Sequence, residues 1–111
     1  MVLILDEAFV DFTKEENSLI SSINDYPNLY ILRSLTKMFA IPGLRLGYLL
    51  TSNLSTLRAI KKRSIPWHIN TFADLAGRQA LKEHSFIEES QRYIQKERLF
   101  LEKGLSAFEE I

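Results

Sequence analysis

The 111-residue chain is 46% hydrophobic and 25% charged, the composition of one ordinary globular domain rather than a disordered segment. Its 14 Lys and Arg balance 14 Asp and Glu, which leaves no electrostatic footprint for nucleic acid or an anionic membrane. With no cysteine there is neither a disulfide framework nor a thiolate metal site; no apolar run approaches the ~18 residues of a membrane span, and a cytoplasmic location is expected.

In chain order, Val2-Leu3-Ile4-Leu5 reads as a strand buried on both faces, the kind found inside parallel sheets. Such a strand needs neighbours on each side, so the chain is expected to be a piece of something larger. Thr13 to Asn24, with apolar Leu19, Ile20 and Ile23, suits a short amphipathic helix, and Tyr26-Pro27-Asn28 signals a turn. Leu29 to Arg33 is a second strand rich in β-formers, which delivers Ser34 to Lys37 at its C-terminal end. Met38 to Leu44 contains Pro42-Gly43 and is expected to be an irregular loop. Arg45 to Thr51 is a third strand. A helix from Leu54 to Arg63 follows, capped by Ser52 or Asn53.

Pro66 makes Ile65 to Asn70 a loop, and Thr71 to Lys82 resumes a helix. From about Phe86 to Glu109 the pattern is one long amphipathic helix, with Ile87, Ile94, Leu101, Leu105 and Phe108 near one face. The order is α/β. The connection between the second and third strands is too short for a crossover helix, so the third strand is expected to be antiparallel.

Chemistry concentrates around Lys37. A lysine just past a strand is ordinarily a solvated charge. Here Ser34 and Thr36 add hydroxyls, Arg45 adds a fork that matches phosphate, and Gly43 and Gly47 allow close backbone approach. A lysine amine can hold an aldehyde cofactor as a Schiff base while the hydroxyls and the arginine grip its phosphate. Asp6-Glu7-Ala8-Phe9 places an acidic pair at the end of the first strand, where a cap or a solvated edge is the usual role. His68 and His84 have no metal-ligand spacing, and no metal site is expected. Lys61-Lys62-Arg63 suits a helix C-terminus better than nucleic acid.

The stretch Ser34 to Gly47 resembles the Schiff-base lysine signature of the aspartate aminotransferase superfamily, the fold type I enzymes that use pyridoxal 5'-phosphate (PLP). That resemblance implies Lys37 as the catalytic residue and Asp6, Ala8, Ser34, Thr36, Lys37 and Arg45 as the cofactor-binding set. Asp6 would pair with the pyridine nitrogen and keep it protonated, so that the ring acts as an electron sink; Ala8 would lie against the ring face. Phe9 departs from the pattern, because many relatives carry there a tyrosine that hydrogen-bonds the cofactor's ring oxygen. Core packing is the plainer role for Phe9, and also for the Pro66-Trp67 loop, where Asn70 is a weak site candidate.

The wording of Asp6 to Phe12, Arg33 to Lys37, Ala40 to Tyr48 and Pro66 to Asn70 resembles the threonine-phosphate decarboxylase branch most, a branch that serves cobalamin synthesis. Histidinol-phosphate aminotransferases are the near relatives and the alternative. Either implies a phosphorylated, amino-acid-like substrate and a homodimer or other self-association. Residues 1–85 would form the C-terminal half of the PLP-binding large domain, and residues 86–111 the long helix leading to a small domain. Such enzymes draw their phosphate loop, ring-stacking aromatic and carboxylate-binding residues from other segments, so the chain alone is expected to be inactive and to bind PLP weakly. A non-catalytic, self-associating module is the competing expectation, because its first strand exposes an edge.

Overall fold

The second strand organises the fold. In a computed structural model, which describes residues 1–13, 15–106 and 108, β2 spans Leu29–Ser34 and lies between β1 (Leu3–Asp6) and β3 (Gly47–Leu50). Leu29 and Ile31 alternate onto one face and are buried to 2% and 0% exposure, as a half-covered strand requires. β1 pairs with it in parallel, from Leu3 opposite Leu29 to Asp6 opposite Leu32. β3 pairs antiparallel, from Ile31 opposite Leu50 to Ser34 opposite Gly47. The expected mixed sheet is therefore present, with β1 shifted by one residue from its apolar run and β3 shorter than the expected Arg45 to Thr51.

Four helices follow. α1 (Leu35–Met38) begins directly where β2 ends; it buries Leu35, Thr36 and Met38 and leaves Lys37 outward. α2 (Leu54–Arg63) has the expected bounds, and of the two capping candidates it uses Asn53, whose Oδ1 accepts from the Thr56 amide at 3.0 Å. Its cationic end, Lys61 to Arg63, sits on the last turn, where the helix dipole favours positive charge. α3 (Thr71–Ala80) buries Ala73, Gly77 and Ala80, a small-residue stripe on which Gly77 comes nearest to Leu46, just before β3. A Cβ on Gly77 would stand 2.6 Å from Leu46 Cδ2 and 3.6 Å from Leu35 Cδ1. α4 (His84–Leu105) docks through Phe86, whose ring stacks on Phe39 at 5.7 Å, and through Gln91 Nε2, which donates to the carbonyls of Asp11 at 2.7 Å and Thr13 at 3.0 Å. The expected end of that helix at Glu109 lies outside the described residues.

Four expectations need correction. Thr13 to Asn24 is not an α-helix: residue 14 lies outside the described residues, and the remainder forms separate 3-10 turns at Glu15–Asn17 and Ile20–Ser22, after another at Val10–Phe12. β1 is not covered on two faces within this chain, for Leu3 is 41% and Ile4 62% exposed and its outer edge has no partner strand among the described residues. Phe9 is not a core residue, being 62% exposed. Trp67 does not pack either; it projects at 94% exposure from a residue with φ of 65°.

Candidate functional site

The C-terminal ends of β1 and β2 lie side by side because the two strands are parallel and in register, so Asp6 and Ser34 emerge at the same edge. The loop after α1 returns through a 3-10 turn at Pro42–Leu44, and Arg45 closes that turn in the left-handed region at φ 52°, ψ 52°. Gly47 then starts β3 opposite Ser34. A side chain at Gly47 would collide with the strand beside it, since its Cβ would lie 2.7 Å from the Arg33 carbonyl oxygen.

These elements enclose an open cleft of about 210 Å³ lined by Asp6, Ala8, Ser34, Thr36, Arg45 and Gly47, among others. That is below the roughly 300–1,000 Å³ of complete small-molecule pockets. Asp6 is exposed and its Oδ1 accepts from the Ala8 amide at 3.0 Å, which fixes the carboxylate at the strand end. The Ser34 and Thr36 hydroxyls hydrogen-bond one another at 2.8 Å, which leaves one of their two hydrogens free to donate to another acceptor in this arrangement. Arg45 makes a long contact, Nη1 to the Pro42 carbonyl at 3.5 Å, that leaves its guanidinium free to turn.

Lys37 stands apart from the other five residues of the expected set. It is exposed and is not among the lining residues; its Nζ lies over the Phe9 ring, 5.5 Å from the centroid. Phe9 thus holds the ammonium by a cation–π contact. Asn70 has a structural duty: its Oδ1 caps α3 through the Ala73 amide at 2.8 Å, and its Nδ2 donates to the Leu44 carbonyl at 3.4 Å. His68 is exposed, with Nδ1 3.2 Å from the Ile65 carbonyl oxygen, and His84 opens α4.

Sequence reasoning missed a buried charged network behind this cleft. The Arg33 side chain is 9% exposed and meets Glu7, Asp11 and Ser18. Its Nε lies 3.0 Å from Glu7 Oε2, but the N–H does not point along that line, so the contact is an ion pair without a formed hydrogen bond. Nη1 bonds Asp11 Oδ1 at 2.5 Å and Nη2 donates to Ser18 Oγ at 2.8 Å. Ser18 in turn donates to Glu7 Oε2 at 2.8 Å, while Glu7 Oε1 accepts the Leu19 amide at 3.0 Å. Tyr48, opposite Arg33 on β3, has its phenol pushed above its ordinary value by burial; the Arg33 charge works against that shift, and Asp11 and Glu7 reinforce it. The signal available in the sequence was an arginine inside an otherwise apolar strand, which demands a partner if its side chain is buried.

Taken together, the fold and cleft define an α/β chain that gathers a carboxylate, two hydroxyls and a guanidinium at adjoining strand ends, with a lysine beside them. The family model for class I and II aminotransferases matches residues 1–110, and the chain belongs to that family. It is 42% identical over 95 residues to the threonine-phosphate decarboxylase of Salmonella typhimurium, covering 86% of this chain and 26% of that one. Its fold is similar to that of the histidinol-phosphate aminotransferase of Clostridium acetobutylicum, with TM-score 0.91 and 41% identity over 96% of this chain and 32% of that one. The Sinorhizobium meliloti histidinol-phosphate aminotransferase, solved in complex with pyridoxal-5'-phosphate, aligns at TM-score 0.78 and 26% identity over 88% of this chain and 27% of that one. The chain therefore spans about a quarter to a third of the length of the relatives it matches.

Proposed function

We propose that the cleft is part of a PLP site in an enzyme acting on a phosphorylated, amino-acid-like substrate. The observation that carries this is the convergence of Asp6, Ala8, Ser34, Thr36 and Arg45 on one cleft from three separate segments of the chain. The donor set fits the cofactor. Ser34, Thr36 and Arg45 offer hydroxyl and guanidinium donors for a phosphate, and the exposed Asp6 carboxylate suits a protonated ring nitrogen. Bound PLP supplies an electron sink that weakens bonds at the substrate's α-carbon.

Lys37 is the residue proposed to bond the cofactor, and it must leave the Phe9 ring to do so. A cation–π contact at an exposed site is worth only about 0.5–1 kcal/mol, which does not prevent that movement. Ala8 offers a small methyl surface at the cleft wall, where a larger side chain would intrude on the ring. Among the two named activities, a threonine-phosphate decarboxylase of cobalamin synthesis is the reading favoured here. Phe9 supports it, because a phenylalanine cannot supply the tyrosine hydroxyl bond that the alternative, a histidinol-phosphate aminotransferase, tends to use.

The test is borohydride reduction of the chain with PLP, followed by peptide mass analysis. The expected result is a cofactor mass on Lys37, at PLP concentrations well above those saturating a complete enzyme, and none in Lys37→Ala. Modification spread over Lys61, Lys62 and other surface lysines, with no preference for Lys37, would overturn the assignment.

A further inference from the structure

We infer that Arg33 and Glu7, with Asp11 and Ser18, are positioning residues for the cofactor site, setting the distance between its ring-nitrogen carboxylate and its phosphate-binding hydroxyls. This rests on the PLP reading above and deepens it. Glu7 directly follows the cleft residue Asp6, and Arg33, which itself lines the cleft, directly precedes Ser34.

Backbone pairing of β1 with β2 ends at the same place. Its last steps are Asp6 opposite Leu32 and the Glu7 amide donating to the Leu32 carbonyl at 2.9 Å. Beyond that bond the two chains diverge, one into the turn at Val10–Phe12 and the other into α1. The Glu7–Arg33 pair at 3.0 Å is then a side-chain rung added after the final main-chain rung. Arg33 extends the tie to Asp11 and Ser18, and Ser18 closes a ring back to Glu7 at 2.8 Å. Four side chains thereby lock the Glu7–Ser18 segment to the last residues of β2.

Stability does not explain such a cluster. Burying one cation with two carboxylates incurs desolvation that attraction often only balances, and apolar residues of equal volume do as well or better. What the bonds of Arg33 to Asp11 and Ser18, and of Ser18 to Glu7, do supply is a preferred geometry for the segments they join. Binding constellations need their groups held within about 0.5 Å, and misplacement by about 1 Å from a distant substitution can cost a hundredfold. Gly47 sharpens the point from the other side: β3 approaches the Arg33 carbonyl so closely that no Cβ fits, leaving Arg33's backbone little room to shift.

The experiment titrates the chain with PLP, following the visible band of the bound cofactor and the borohydride-fixed mass on Lys37. The variants are Arg33→Met, Arg33→Lys, Glu7→Gln and Asp11→Asn, each checked for folding by far-ultraviolet circular dichroism. Asp11 lies at the rim of the network at 23% side-chain exposure, so Asp11→Asn retains the fold even where Arg33→Met does not. The expected result is a roughly ten- to hundredfold weaker apparent affinity in Glu7→Gln and Arg33→Met, a smaller loss in Asp11→Asn, and partial recovery in Arg33→Lys. The pH midpoint of the cofactor band should move as well, because the Asp6 carboxylate proposed to hold a protonated ring nitrogen would be displaced. Lower thermal stability with unchanged affinity and band midpoint per folded molecule would overturn the positioning role and leave the cofactor reading standing. If the wild-type chain takes up no PLP, the cofactor reading fails and this inference falls with it.

Discussion

Ala40 and Arg45 bracket the loop beside the cleft, and both adopt left-handed backbone, with φ of 51° and 52°. For a residue with a Cβ this conformation costs about 1–2 kcal/mol. A glycine at position 40 removes that cost, while its greater unfolded freedom opposes the gain by about 0.5–1 kcal/mol. Relief wins by a small margin. Ala40→Gly is therefore expected to stabilise the chain by about 0.5–1 kcal/mol in urea unfolding; a destabilised variant would show that the loop does not hold this backbone in solution. At this scale the sequence was informative about chemistry and silent about partners. Asp6, Ser34, Thr36 and Arg45 could be proposed as a set because the stretches around them resemble a family signature, and the fold does bring all four to one cleft. The role of Arg33 could not, because it depends on Glu7, Asp11 and Ser18 arriving within bonding distance from a segment far off in the chain. Phe9 was misjudged for the same reason: an aromatic residue suggests core, but its ring here serves an ammonium at the surface.

Two helices start on asparagine, and comparing them separates local from tertiary work. Asn53 and Asn70 each accept an amide three residues on, at 3.0 Å and 2.8 Å. Replacing such a cap by alanine costs about 1 kcal/mol. Asn70 also reaches the Leu44 carbonyl at 3.4 Å, a bond long enough to add little energy, yet it ties α3 to the loop carrying Arg45. Asn53→Ala and Asn70→Ala are both expected to lose about 1 kcal/mol of stability, whereas only Asn70→Ala should weaken PLP capture. Equal capture by the two variants would assign Asn70 to capping alone. The caps and α2's bounds were legible because they are local rules. Thr13 to Asn24 reads as a helix from the period of Leu19, Ile20 and Ile23, yet it folds otherwise. There the Leu19 amide is taken by Glu7 Oε1 at 3.0 Å and the Ile20 amide by Ser18 Oγ at 3.0 Å, so neither is available to an i−4 carbonyl. Asn and Ser in this segment favour such local bonds over helix.

At the scale of the whole molecule, the chain exposes far more surface than its mass implies. It has 9223 Å² accessible and a radius of gyration of 17.3 Å, whereas a compact monomer of this size has roughly 6,300 Å² and about 13 Å. Much of the difference is apolar. Leu3 and Ile4 lie exposed on β1, with Val2 exposed just before it, and Leu99, Phe100, Leu101 and Leu105 lie exposed along α4. A continuous apolar run marks β1 and periodicity marks α4 as elements with apolar faces, but neither pattern says what, if anything, packs on them. β1 has a further property: its outer edge presents backbone donors and acceptors with no partner strand among the described residues. An open, apolar edge is a template for pairing with another strand. The chain is therefore expected to self-associate as its concentration rises, in sedimentation velocity at neutral pH. Ile4→Lys should shift that equilibrium toward monomer, because a charge beside the edge must be desolvated for a second strand to pair there. Leu101→Lys on α4 serves as the comparison, since it removes exposed apolar surface but leaves the strand edge intact. Equal effects of the two substitutions would point to general apolar clustering; an effect confined to Ile4→Lys would locate association at the sheet edge. A wild-type chain that stays monomeric throughout would sink the edge argument altogether.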